Sequence, residues 1–242
     1  MRTPRYMASV IALAMMVAGC GASSPVGGGS GSTDAIGNSK VKPTWMLIDS
    51  SSFHRYAAAY LPEMEAVARD VVAPARGRIL AASVDGSPLT SAELLAVDFS
   101  KNPVAVDDPD LFARFNQARA TAFGRRFQQL VAARQTVHGS GLLEALALTT
   151  SAPGDVFMWS DGIENAGGFD LSHATDRALR REIQRWSKRL RGRLRGRRVT
   201  LVGVGRGVHD SATVERAHRL FAAVVSAGGG KLRWRQTLAE GQ

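Results

Sequence analysis

Apolar and polar positions along this chain alternate between two periods. Thr44-Trp45-Met46-Leu47-Ile48 is an apolar run that stops at Asp49, the pattern of a parallel strand buried on both faces. Arg78 to Val84, Leu94 to Phe99, Val156 to Trp159, Val199 to Val204 and Leu232 to Leu238 predict further strands. Between them lie helical stretches. His54 to Val72 has helical composition and is expected to break at Pro62. Pro109, with Asp107, Asp108 and Asp110 around it, opens a long helix. Its apolar side carries Leu111, Phe112, Phe115, Phe123, Phe127, Leu130 and Val131, and it ends before His138-Gly139-Ser140-Gly141. Leu142 to Leu148 is a short helix, and Ser172 to Arg195 a basic one. Asp210 to Ala227 is the last, stopped by Gly228-Gly229-Gly230. Strands alternating with helices predict an α/β fold: a doubly wound, mostly parallel central sheet with helices on both faces, Rossmann-like in layout. In such sheets ligands bind at the carboxyl ends of the strands. Asp49, Ser51 and Asp161 fall there, and Ser140 lies in a loop that can reach them.

The front of the chain departs from this pattern. Met1-Arg2-Thr3-Pro4-Arg5 is basic, Met7 to Val17 is apolar, and Val17-Ala18-Gly19-Cys20 places small residues before the only cysteine. This is an export signal, too short to span a bilayer as a mature helix, which needs about 20 apolar residues. Val17-Ala18-Gly19-Cys20 resembles the lipobox of bacterial lipoproteins. That resemblance implies cleavage after residue 19, more than one acyl chain on Cys20, and durable attachment to a membrane. With one cysteine the mature chain forms no internal disulfide. Residues 20–43 then read as a Gly/Ser-rich tether, clearest at Gly27-Gly28-Gly29-Ser30-Gly31-Ser32, with a typical reach of roughly 25–30 Å. Residues 44–242 form one domain. The expected location is the cell envelope, outside the cytoplasm.

From Thr44 to Leu238 the chain resembles a von Willebrand factor A domain. The resemblance rests on the order of elements and on three short segments. Leu47-Ile48-Asp49-Ser50-Ser51 matches the start of the family's Asp-x-Ser-x-Ser motif; Gly139-Ser140-Gly141-Leu142 matches its threonine loop, with Ser140 in place of Thr; and Trp159-Ser160-Asp161-Gly162 matches its Asp-Gly segment. In that family these positions form a metal-ion-dependent adhesion site, and a carboxylate from the partner completes the metal shell. The resemblance therefore implies a protein-binding module with Asp49, Ser51, Ser140 and Asp161 as metal ligands. The residues agree, since two carboxylates and two hydroxyls are hard donors suited to Mg²⁺, Mn²⁺ or Ca²⁺. The departure is at Phe53, which stands where the family has its second serine. A water would replace that hydroxyl, and Ser52 is expected to point elsewhere. The bland alternative is a degenerate site, with Asp49 capping a helix and Asp161-Gly162 a tight turn.

Nothing in the sequence argues strongly for catalysis, and a metal-dependent hydrolase, in which an oxygen-ligated metal activates water, is the remote alternative. Gly203-Val204-Gly205 lacks the third glycine of a dinucleotide loop, where Val208 stands. Ser140 has no Gly-x-Ser-x-Gly elbow, and the five histidines show no zinc spacing. The expectation is a binding protein, not an enzyme.

Charge changes the picture in one place. The chain's formal charge is +10, and the segment Asp176–Arg198 holds eleven Arg or Lys residues against two acids. Leu179, Ile183, Trp186, Leu190 and Leu194 make a helical apolar stripe within it. The arginines should face outward, with Arg177, Arg181, Arg185, Lys188, Arg189 and Arg193 forming a basic face. A solvated surface, an anionic lipid surface and an acidic protein partner all fit this face. Nucleic acid fits an exported chain poorly. If the strand-end site binds no metal, the alternative is a scaffold lipoprotein that docks through this helix.

Overall fold

The computed structural model describes residues 42–86, 94–101, 108–133, 139–207 and 210–238. The expected export signal, Cys20 and the expected tether up to residue 41 lie outside the described residues. Six strands form one sheet: β1 Pro43–Asp49, β2 Arg78–Val84, β3 Leu95–Asp98, β4 Val156–Trp159, β5 Arg198–Val202 and β6 Lys231–Arg235. Their order is β3-β2-β1-β4-β5-β6, all parallel except β3, which runs antiparallel to β2. Five α-helices cover it: α1 Ser50–Ala66, α2 Pro109–Ala132, α3 Leu142–Leu148, α4 Asp176–Leu190 and α5 Ser211–Ala227. The doubly wound α/β fold read from the sequence is the fold observed.

Side-chain alternation builds two cores from one strand. Trp45 and Leu47 of β1 pack with α3, α4 and α5, while Met46 and Ile48 pack with α1 and α2. Both faces of β1 and β2 are buried, which is why these strands read as apolar runs rather than as alternating ones. Chain order reverses between β1 and β4, so a crevice opens at their carboxyl ends.

Several boundaries differ from the sequence reading. Helix α1 starts at Ser50, four residues before His54, because the Asp49 carboxylate caps it by accepting from Ser51 N–H. It passes through Pro62 and continues as a π-helical turn, Val67–Val72; its backbone departs from helical geometry at Tyr56 instead. A proline inside a helix costs ~3 kcal/mol or more, but Tyr60, Met64, Val67 and Ala68 bury the flanking turns, and each large apolar side chain returns about 1.5–3 kcal/mol. Helix α4 starts at Asp176 rather than Ser172, capped by the Thr175 hydroxyl accepting from Ala178 N–H at 3.2 Å. It ends at Leu190 because Arg191 leaves helical geometry, with ψ at 119°, and Gly192 follows at a positive φ of 69°. No helix among the described residues is long and apolar enough to cross a membrane.

A candidate metal-binding site at the strand ends

Asp49 closes β1 and is only 1% exposed. Its carboxylate gathers hydroxyls from three separate parts of the chain. Oδ1 accepts from the Ser51 hydroxyl at 2.7 Å, the Ser140 hydroxyl at 2.9 Å and Ser51 N–H at 3.0 Å. Oδ2 accepts from the Ser160 hydroxyl at 2.9 Å and the Ser52 hydroxyl at 3.2 Å. The Ser51 and Ser140 hydroxyls are themselves 3.2 Å apart. Burial, followed by the negative charge of Asp161, raises the Asp49 pKa, while the serine hydroxyls oppose the rise.

Local structure explains how Ser140 arrives here. Gly139 has a φ of +117°, and a Cβ on it would lie 2.5 Å from the Asn165 carbonyl oxygen. The loop can therefore lie against the segment after β4. Ser140 N–H donates to Asn165 Oδ1, Asn165 N–H returns a bond to the Ser140 carbonyl at 3.2 Å, and Gly141 N–H reaches the Asp85 carbonyl at 3.1 Å. On the other side, Asp161 is 8% exposed. Its N–H donates to the Ser52 hydroxyl at 3.2 Å, and its Oδ1 accepts from Ile163 N–H at 3.0 Å.

All four residues singled out from the sequence thus meet at the topological switch point. Ser52 is a correction. It does not point elsewhere, because on the first turn of α1 its buried hydroxyl bridges the Asp49 carboxylate and the Asp161 backbone. Phe53, itself on the buried side of α1, is 4% exposed and packs into the core that α1 shares with the sheet and α2. Ser160 was missed as a site residue, although its place between β4 and Asp161 was visible. Its hydroxyl accepts from Gly162 N–H at 2.9 Å while donating to Asp49.

Among the described residues no group of three or more Asp, Glu, His or Cys gathers to hold a metal. The donor set is two carboxylates and a fan of hydroxyls, all hard oxygens, which suits Mg²⁺ or Mn²⁺ with several waters retained. Two buried carboxylates that repel each other also fit a cation between them. The residues therefore fit the metal that the family resemblance implies.

A buried acid lies behind the site. Glu164 is 2% exposed and accepts from Leu143 N–H at 3.0 Å, at the start of α3. Burial pushes its pKa up to about 8 from an ordinary 4.5. Below pH 4.5 both folded and unfolded chains carry the proton. Between 4.5 and about 8 the unfolded chain loses it and the folded chain keeps it, so stability falls as pH rises. Glu164→Gln, which mimics the protonated form, is expected to remove this slope. Denaturant titrations from pH 4 to 9 should show the variant overtaking the parent toward pH 8. A constant difference across that range would contradict the assignment.

All six residues of the expected basic face are exposed. Arg185 pairs with Glu182, and Arg189 lies 4.0 Å from Glu144. Both guanidinium groups also sit over the Trp186 ring, 5.3 and 4.6 Å from its centroid. Trp186 is buried, and its indole N–H donates to Glu182 Oε1 at 2.8 Å. Arg177, Arg181, Lys188 and Arg193 make no ion pair among the described residues.

No protein-family model matches this chain, and no curated protein matches it.

Proposed function

We propose that the domain is a membrane-tethered binding module of the bacterial cell envelope, which holds a protein partner through a divalent cation. Asp49, Ser51, Ser140 and Asp161 would hold Mg²⁺ or Mn²⁺. The ion would supply a Lewis-acidic point for a carboxylate of the partner. One observation carries this reading: Ser51 and Ser140, 89 residues apart in sequence, both place their hydroxyls on Asp49, in the crevice where open α/β sheets bind ligands. The resemblance to von Willebrand factor A domains supports the same assignment. Attachment through Cys20 rests on the lipobox. The test is Mn²⁺ binding followed by electron paramagnetic resonance. The parent chain should take up one Mn²⁺, and Asp161→Asn should weaken it by roughly 100-fold. No uptake at millimolar Mn²⁺ would overturn the reading.

A second reading has its own support. The Asp49 carboxylate already accepts five hydrogen bonds, so the cluster is satisfied without a metal. On that reading the protein is a metal-free scaffold that docks through its basic helix.

A further inference from the structure

Basic residues gather at one end of the sheet, although the division is not complete: Arg206 and Arg235 stand at the carboxyl ends of β5 and β6, and Asp98 lies beside Arg78 at the other end. At the carboxyl ends stand Asp49 after β1, Asp85 after β2 and Asp161 after β4. At the amino ends stand Lys42 before β1, Arg78 opening β2, Arg197 and Arg198 at β5, and Lys231 opening β6. Asp155, before β4, is paired with Arg198 at 2.5 Å. The turn after α4 adds Arg191, Arg193 and Arg195 to this base. It is bonded to the turn after α5: Gly192 N–H to the Ala227 carbonyl at 3.2 Å, Leu194 N–H to Gly228 at 2.8 Å and Gly196 N–H to Gly229 at 3.2 Å. Lys42, Arg191, Arg193, Arg195 and Lys231 are exposed and make no ion pair among the described residues.

The preceding chain joins the domain at this same base. Lys42, Pro43 and Thr44 line one recess of about 240 Å³ together with Arg195, Gly196 and Arg197. We infer that the base is a docking surface for anionic phospholipid, and that it holds the strand-end site facing away from the membrane. This inference rests on the lipid anchor at Cys20. The chain from Cys20 enters the domain at this base, through Lys42 and Pro43, so the base is the surface nearest the anchor along the sequence. Each basic residue near an anionic bilayer strengthens attachment roughly five-fold. Strand β1 has seven residues, which sets Asp49 about 20 Å above the base. That is roughly twice the Debye length at physiological salt, so the lipid repels the carboxylates little while attracting the arginines.

The experiment uses the full chain, expressed in bacteria and reconstituted into phosphatidylglycerol–phosphatidylcholine vesicles carrying a headgroup quencher. A dye is placed at Ser226→Cys, in the last turn of α5 at the base, or at His173→Cys, in the loop after β4 at the opposite end. Thiol counting before labelling tests the anchor separately. A lipidated Cys20 leaves one reactive thiol in each variant, whereas two reactive thiols would remove the anchor and the inference with it. With one thiol, the dye at Ser226→Cys should be quenched roughly three-fold more than the dye at His173→Cys. That difference should vanish in high salt, in phosphatidylcholine vesicles, and when Arg191, Arg193 and Arg195 are changed to Glu. Equal quenching of the two dyes, or a difference indifferent to salt, would overturn the docking surface while leaving the anchor intact.

Discussion

Asp49→Asn is expected to abolish cation binding and leave the sheet folded. Asn keeps the size and hydrogen-bonding reach of Asp, and the four serine hydroxyls around it can each rotate to donate or accept. What disappears is the charge at the centre of the cluster. Outer-shell partners alone are worth 10–100-fold in metal affinity, so loss of a charged ligand should cost more than about 100-fold. Calorimetric titration with Mg²⁺ reads the affinity, and circular dichroism confirms the fold. A variant that binds as well as the parent would remove Asp49 from the site.

Restoring the family's second serine should fail. Phe53→Ser puts a hydroxyl where the resemblance expects one, but Phe53 points from α1 into the core shared with the sheet and α2. Emptying a buried phenylalanine site costs about 3–5 kcal/mol, and stranding a hydroxyl there adds to it. Thermal unfolding should drop by roughly 10 °C or more, with no gain in cation affinity. Ser52→Ala should lower that affinity instead, since Ser52 already reaches both Asp49 and Asp161. Tighter binding by Phe53→Ser would show that the site follows the family register and that Ser52 is a bystander.

These two cases show what was legible in the residues and what was not. β1 and β2 announced themselves because a strand buried on both faces has few polar positions to obscure it, as in Trp45 to Ile48. The ligands followed from where those runs stopped, at Asp49 and at Ser160-Asp161. Ser140 needed a motif, because only the fold brings a loop 91 residues away onto Asp49. Ser52 was misjudged by counting every second residue through the motif. Asp49 caps α1, so the chain turns helical at once, and Ser51 and Ser52 both lie on its first turn within reach of the carboxylate. The start of α1 was misplaced because the cap at Asp49, weighed only as an alternative to a ligand, begins the helix at Ser50 while Asp49 also gathers the serines. The basic face was read correctly as exposed from the stripe of Leu179, Trp186, Leu190 and Leu194. The gathering of basic residues at the base was not legible, since Lys42, Arg195 and Lys231 share one end of the sheet only once the strand order is known.

Anomalous diffraction from crystals grown with Mn²⁺ tests the central claim most directly. The expected result is a single manganese peak at the Asp49–Ser51–Ser140 cluster, beside Asp161. A well-ordered cluster with no peak there, its serines still bonded to Asp49, would contradict it.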